Sequence, residues 1–445
     1  MPKCARRCER RAMERVCVIG LGRVGLTLAV TLADVGMEVM GVDIDKATVA
    51  SLLEGRPHFY ERGLETRLKK LLGQRLTISH ELAGDQYSAY VIAVGTPVDN
   101  STRRVILEPL TRAVEEVAQH FSEGSLIVLR STVPVGATRQ IALPLLEAQR
   151  RPFHLAFCPE RTLEGEGLVE LRQLPQIIGG LDQESVDRAA SFFSWVTDTT
   201  VRMPSLEAAE MIKLIDNSFR DVNFAFANEI ALIAEGLKLD GAELIRLANL
   251  GYPRNSIAPP GFVGGACLSK DPYILAGSAA DIGCEARLTL AARSVNESLA
   301  AHVVDRLQRA LTGVNKRLED CRVFVAGLAF KGQPETDDLR DSPAVALAEC
   351  LQNGRYSPTI YGHDFVASPG VIRKAGITPC SVREGFEGAD VVIFMTNHPG
   401  YARLDLQDLT PLMNKPAVLF DGWHIFDPAD VRSLSGVIYG GLGVG

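Results

Sequence analysis

Between Val16 and Asp43 the chain reads VCVIGLGRVGLTLAVTLADVGMEVMGVD, the stretch that most restricts what it can fold into. An apolar run meets a glycine turn, apolar positions then recur at helical spacing through VGLTLAVTLADVG, and a second apolar run, EVMGVD, follows. Strand, turn, helix and strand form one βαβ unit. Gly20, Gly22 and Gly25 spell GxGxxG at the turn, where missing side chains let backbone amides and the helix N-terminus approach a pyrophosphate. Asp43 closes the second strand about 20 residues on, where a carboxylate accepts both ribose hydroxyls and repels a 2′-phosphate. The expected ligand is therefore NAD rather than NADP. The competing reading is tight helix–strand packing without a ligand; strand, glycines, helix and acid standing in register weigh against it.

Further strands are expected at YVIAVG (90–95), SLIVLRS (125–131) and HLAFCP (154–159), with helical stretches between them, which implies a mostly parallel sheet covered on both faces. From Ser205 the pattern changes to a helix running to Gly236, then a helix over 240–250, then the Gly/Pro-rich loop GYPRNSIAPPGFVGGACLSKDP. A second α/β unit opens near Cys321: CRVFVAGLAF as strand, SPAVALAECLQNG as a helix stopped by Gly354, and PTIYGHD as a strand ending in an acid. ADVVIFMTNHPGY mirrors YSAYVIAVGTPVD. The expected fold class is α/β, with two Rossmann-like doubly wound domains joined by a helical middle containing one long helix. The segments are 1–204 (with 1–12 an extension outside the fold), 205–312 and 313–445, in keeping with roughly 150 residues per domain.

Composition narrows the function. Of 445 residues 46% are hydrophobic and 23% charged, a globular mixture. Forty-seven basic against 54 acidic side chains leave −7, which opposes adhesion to phosphate polymers, so no nucleic-acid partner is expected. The most apolar segment, 16–42, is interrupted by Arg23 and Asp34, short of the roughly 18 apolar residues of a span. The basic opening MPKCARRCERRAMERV does not read as a secretory signal. No membrane association and a cytoplasmic address follow. Nine cysteines without CxxC pairs, and histidines without HExxH, suit neither a disulfide framework nor a zinc site, so no metal is expected.

Among these cysteines, Cys17, Cys158, Cys321 and Cys350 read as buried inert thiols. Cys267 differs. It sits in GFVGGACLSKDP, where Gly264 and Gly265 permit close backbone approach and Lys270 and Asp271 stand nearby; an adjacent cation would favour the thiolate and make it a nucleophile. On the long helix Lys213, Asn217, Arg220 and Phe224 fall in one angular sector, with Lys213 and Asn217 one turn apart. Such a pair can bind an oxygen-rich substrate, although on the residues alone a solvated polar face is the plainer reading.

Taken together, VIGLGRVG, GTPVD, STVPVGATR, CPERTLEG, EMIKLIDNSF, GFVGGACLSKDP and GLAFKGQPETDDLRDSP resemble the nucleotide-sugar 6-dehydrogenases, the UDP-glucose/GDP-mannose dehydrogenase family. The form CPER is more similar to the branch acting on UDP-N-acetylmannosamine or UDP-N-acetylglucosamine. The resemblance implies an NAD site of Gly20, Gly22, Val24, Gly25, Asp43, Thr96, Thr132, Glu164 and Arg340. It implies Cys267 as catalytic thiol, with Lys213, Asn217, Asp271 and Glu160 as the acid/base and oxyanion set. It further implies Arg161, Arg254, Gly264, Phe330 and Lys331 as UDP-sugar contacts, Arg254 reaching the neighbouring subunit's substrate in a homodimer built on the central helices.

The chain departs from the family pattern at Ser269, where Pro is frequent, at Trp423, where UDP-glucose relatives tend to carry Arg, and in a longer stretch between Lys331 and Asp337. The implied reaction is a four-electron oxidation of a primary alcohol to a uronate through a thiohemiacetal and thioester on Cys267. UDP-glucose or GDP-mannose as substrate, a two-electron hydroxyacid-type dehydrogenase and a non-catalytic nucleotide-sugar or NAD sensor are the alternatives. Glu160 and Asp271 both remain open as the group that directs water.

Overall fold

The computed structural model describes residues 14–84, 86–99, 101–353 and 358–444; the expected extension at 1–12 and the expected helix stop Gly354 lie outside these. The chain separates into two compact units, Met1–Ile215 and Asp216–Gly445.

The first unit is built on eight strands: β1 (Arg15–Ile19), β2 (Glu38–Val42), β3 (Leu76–Ser79), β4 (Ala89–Ile92), β5 (Ser125–Leu129), β6 (Phe153–Phe157), β7 (Gln176–Gly180) and β8 (Thr200–Arg202). They lie in the order β3-β2-β1-β4-β5-β6-β7-β8, parallel throughout except between β6 and β7. The central strands β1, β4 and β5 are apolar at every position after the first because helices cover both faces. Val16, Val18, Val91, Leu126 and Val128 pack under the helix Arg23–Asp34 on one side. Cys17, Ile19, Tyr90, Ile92, Ile127 and Leu129 pack under the helix Glu108–His120 on the other.

In the second unit six strands, β9 (Arg322–Ala326), β10 (Thr359–His363), β11 (Thr378–Pro379), β12 (Val391–Phe394), β13 (Ala417–Asp421) and β14 (Val437–Gly441), form an all-parallel sheet in the order β11-β10-β9-β12-β13-β14. Both sheets reverse direction between their first and fourth strands, at β1/β4 and β9/β12. That crevice is where doubly wound sheets take ligands. The α/β class and both Rossmann-like sheets are as the sequence implies. The helix Leu206–Gly236 runs the length expected, and from Asp216 onward it belongs with the second sheet. The helix Arg287–Thr312 packs there too, setting Leu299, Val303, Leu307 and Leu311 against Val323, Val325 and Ile393. Short β3, β8 and β11, along with β7 and β14, which both end in Gly-Gly, carried too little apolar signal to be read as strands from sequence.

One cysteine expectation is corrected. Cys17, Cys158 and Cys321 are buried, and burial pushes their thiols up, Cys158 to about 12 and Cys321 to about 11. Cys350 is exposed: on the helix Pro343–Asn353 the inward positions are Ala344, Leu347, Ala348 and Leu351, and Cys350 falls between them on the outer face.

Candidate active site

The glycine turn follows β1 directly. Gly20 holds φ +87° and donates to the Val42 carbonyl at 2.8 Å. A Cβ on Gly25 would lie 1.7 Å from the Gly20 oxygen, so Gly25 lets helix and strand meet, whereas a Cβ on Gly22 would meet nothing within 4 Å. Gly22 is the N-cap of the helix Arg23–Asp34, which has no side-chain cap and no acidic residue in its first turn. Open space over uncapped amides is what a pyrophosphate requires. Val24 lies in that first turn. Asp43 accepts from Leu21 N at 2.8 Å and Asp45 N at 2.9 Å, one N–H per oxygen. Each oxygen thus keeps a lone-pair direction for a ribose hydroxyl. These residues fit NAD. Glu164 faces Arg23 at 3.6 Å beside the turn, and Thr96, at the end of β4, donates to the Thr132 carbonyl at 2.7 Å, bringing those two together.

Beyond the ends of β5 and β6 lies a buried ion pair. Arg130, at the end of β5, places Nη2 at 2.6 Å and Nε at 3.2 Å from Glu160 Oε2. Its Nη1 donates to the Cys158 carbonyl and to Gln176. Glu160 Oε1 accepts from Arg161 N at 2.7 Å and Thr162 N at 2.8 Å. Burial alone would raise this carboxyl, but the Arg130 charge, the N–H donors and Lys213 together hold it below the usual range. Arg130 was not singled out from sequence; the signal was a lone charge ending an all-apolar strand. Glu210 was missed as well. Buried on the long helix, it accepts from Gly136 N, Thr138 N at 2.9 Å and Thr138 Oγ1 at 2.6 Å, tying STVPVGATR to that helix.

Within the second unit, residues 251–270 form a loop between the helices Gly241–Asn249 and Asp271–Asp281. Cys267 is exposed on its last turn, and its carbonyl accepts from Asp271 N at 2.9 Å. Asp271 is fully buried; Asn217 donates to Oδ2 at 2.6 Å and Lys270 to Oδ1 at 3.1 Å. Lys270, three residues after the thiol, is an ion-pair partner of Asp271. Lys213 and Asn217 are buried, not on the solvated face considered above, while Arg220 is exposed.

The thiol loop is seated by close contacts that only glycine allows. A Cβ on Gly264 would lie 2.4 Å from Pro343, and one on Gly265 would lie 2.7 Å from the Phe330 ring. Lys331 reaches back over that ring at 5.4 Å. Ser269, where proline was the familiar residue, has its one hydroxyl proton within reach of both Gly265 O at 2.9 Å and Asp341 Oδ2 at 2.8 Å, stapling the loop through its hydroxyl. Trp423 donates to the Met395 carbonyl at 2.8 Å and lays its ring against Gly261. An apolar contact therefore stands where arginine was the familiar residue. Arg340 grips Asp338 with both arms of its guanidinium, and Arg254 is exposed beside Tyr252.

A doubly wound sheet with this turn, this acid and this switch point defines a dinucleotide-binding protein. Residues 14–197 match the NAD binding domain of the UDP-glucose/GDP-mannose dehydrogenase family, 207–298 its central domain and 324–428 its UDP binding domain. The chain belongs to this family and is an NAD-dependent oxidoreductase. It is 33% identical to the UDP-N-acetyl-D-mannosamine dehydrogenase of Pyrococcus horikoshii, over 97% of this chain and 99% of that one. With the NDP-N-acetyl-D-galactosaminuronic acid dehydrogenase of Ralstonia nicotianae it shares 32% over 88% and 93%. The solved UDP-D-ManNAc dehydrogenase structure from P. horikoshii has a TM-score of 0.85 at 31% identity, covering 97% and 99%. Among the described residues no helix is long and apolar enough to cross a membrane, and no cluster of His, Cys, Asp and Glu could hold a metal ion.

Proposed function

We propose that the chain oxidises carbon 6 of a UDP-N-acetylhexosamine to the uronate in two NAD-dependent steps joined by a thioester on Cys267, with UDP-N-acetylmannosamine the first candidate. The observation that carries the reading is the exposed thiol after a Gly-Gly pair, one turn before Asp271, whose carboxylate Asn217 holds. The names of the relatives support the acetylated sugar.

NAD, when bound, supplies a hydride acceptor for each oxidation. The chain's residues handle the rest. The O6 proton passes to Lys213, or to water held by Asp271, as the alcohol becomes an aldehyde. The Cys267 thiolate adds to the aldehyde carbon and gives a thiohemiacetal; loss of its hydride and hydroxyl proton leaves the thioester. Asn217 has a second N–H beyond the one given to Asp271, and with Lys213 it stabilises negative charge on O6, a role worth about 3–4 kcal/mol per donor elsewhere. Water then adds to the thioester carbonyl, the carbon–sulfur bond breaks and the uronate leaves. Four N–H donors already saturate Glu160, which makes it a weak base. Asp271 is therefore assigned to the water, and Glu160 holds Arg161 and Thr162 in place.

The remaining roles follow the family pattern: Thr96, Thr132, Glu164 and Arg340 toward NAD, Arg161, Gly264, Phe330 and Lys331 toward the UDP-sugar, and Arg254 toward a second subunit's substrate. Met211, Ile215, Phe219, Phe226 and Ile233 form an exposed apolar stripe on the long helix, and a second copy of the chain is its occupant. Sedimentation as a monomer at micromolar concentration would defeat the dimer.

The central test offers UDP-N-acetylmannosamine, UDP-N-acetylglucosamine, UDP-glucose and GDP-mannose and counts NADH per sugar. Two NADH with an acetylated sugar, and none of that net yield from Cys267→Ser, is the expected result. One NADH per turnover favours the hydroxyacid-type alternative, and undiminished yield from Cys267→Ser overturns the thioester.

A further inference from the structure

A loop as long as 251–270 has no strand or helix ladder to satisfy its backbone, so side chains must take that part. Three asparagines do. Asn249 accepts from Ile257 N at 3.1 Å and donates to Ile257 O at 2.8 Å. Asn228 does the same to Gly261, at 2.9 and 3.0 Å, and Asn223 spans Ala258 N and Ser256 O. A primary amide carries the donor and acceptor that an adjacent peptide would offer.

From Gly261 a buried chain of polar groups continues to the thiol. Asn228 donates to Asn296 Oδ1 at 2.9 Å, and Asn296 donates to Asp221 Oδ1 at 2.9 Å and to its carbonyl at 3.0 Å. Arg293 Nη1 donates to the same Asp221 oxygen at 2.7 Å and to the Leu268 carbonyl at 3.1 Å. Leu268 is the residue after Cys267. All four side chains are at least 94% buried, with Asp221 and Asn228 wholly so. Asn217, Asp221 and Asn228 follow at steps of four and seven on the long helix and so share a face. This helix face thus holds Gly261 through Asn228, Asp271 through Asn217 and, by way of Arg293, Leu268, on either side of the thiol.

We infer that Arg293 is a positioning residue for Cys267: clamped by Asp221, which Asn296 holds in turn, and by Glu297 at 3.2 Å, it fixes the Leu268–Ser269 peptide beside the thiol and so the place from which sulfur attacks. The inference rests on the reading of Cys267 as nucleophile. The other members, Asp221, Asn228 and Asn296, touch no substrate in that reading, and a simple core does not need a guanidinium on a loop carbonyl. Burying a charge of this kind is costly unless its geometry is used.

The test compares full-length Arg293→Lys and Asn296→Ser with wild type. It measures kcat, the KM for NAD and UDP-sugar, and the rate at which iodoacetamide labels Cys267, read by mass spectrometry of the Cys267 peptide. A misplacement near 1 Å costs about a hundredfold. Arg293→Lys is expected to lower kcat between about tenfold and a hundredfold with both KM values within about twofold, and to change the labelling rate in the folded protein. Asn296→Ser should do the same to a smaller degree, and it decides the matter if Arg293→Lys does not fold. A folded variant with wild-type kcat and labelling overturns the inference, as does a fall in kcat with labelling unmoved. Cys267→Ser run beside them separates the two claims: full NADH yield there sinks the nucleophile, while labelling still reports whether Arg293 positions the thiol.

Discussion

The two sheets begin alike. Gly20 and Gly327 follow the first strand of each, hold φ +87° and +90°, and donate at 2.8 Å to the last carbonyl of the neighbouring strand, of Val42 and His363. An acid comes next in each neighbour, Asp43 and Asp364. There the likeness ends. In the first sheet a helix starts at Arg23, Gly22 opens on space, and Asp43 has one N–H on each oxygen. In the second, residues 327–342 intervene before the helix at Pro343. Ala329 is buried where Gly22 is open, and Asp364 accepts from Leu328, Ala329, Val366 and Ala367, two N–H groups on each oxygen. Shared strand order therefore does not fix the ligand. What fixes it is whether the turn and the acid are left open, as in the NAD-binding sheet, or closed on themselves, as in the sheet matched to UDP binding.

The harshest way to break this contrast is to close the open turn. Gly22→Val adds its side chain into space with no protein atom within 4 Å and at a backbone conformation any residue adopts, so the fold should survive. NAD affinity should fall at least about a hundredfold, some 2.7 kcal/mol, because the side chain stands where the pyrophosphate approaches. Calorimetric titration with NAD measures it. Retained affinity would mean that the open space is not the pyrophosphate site.

The two acids make the next comparison. Asp364→Ala strips four N–H groups of their acceptor and should destabilise the second unit by about 3 kcal/mol, with NAD affinity unchanged. Asp43→Ala should weaken NAD about tenfold or more and cost the fold little. The two tryptophans, Trp195 and Trp423, lie one in each unit, so Trp195→Phe and Trp423→Phe backgrounds let denaturant unfolding be followed unit by unit. If Asp43→Ala destabilised its own unit as strongly as Asp364→Ala does, the acids would be equivalent buckles and the contrast would fail.

This pairing also shows what the sequence could reveal. GLGRVG with Asp43, and GLAF followed by an acid-ended strand, were legible as two related halves because period and turn chemistry are local. The long helix was legible because its periodicity runs unbroken. That Asp364 is saturated was not, since its four donors come from two turns that meet only in the folded unit. Arg130 and Glu160 were likewise unreadable as a pair, being 30 residues apart and joined across the ends of adjacent strands. The burial of Lys213 and Asn217 escaped because one helix face looks the same in sequence whether water or a loop covers it. Cys350 shows the converse: a small thiol carries no sign of which side of its helix faces out.

The smallest effect distinguishes the units by pH. His363 ends β10 where β2 ends in Val42, so only the second sheet has a titrating ring at that point. Burial pushes its pKa below the ordinary value, with Asp364 opposing and His398 adding to the fall. The Tyr401 hydroxyl oxygen lies 2.9 Å from the His363 carbonyl and 2.9 Å from His363 Nδ1, so Nδ1 has a hydrogen-bond partner. Above about pH 6.5 the imidazole is neutral folded or unfolded and contributes nothing to the pH slope. As pH falls past that value the unfolded chain takes up a proton that the folded chain refuses until lower pH. Between those points unfolding binds protons, and the second unit loses stability as the medium acidifies. In the Trp195→Phe background, His363→Gln should flatten that part of the profile for the second unit while leaving the first unit's profile, read in the Trp423→Phe background, unaltered. A second-unit slope that survives the substitution would assign the loss to other groups and remove His363 from the contrast.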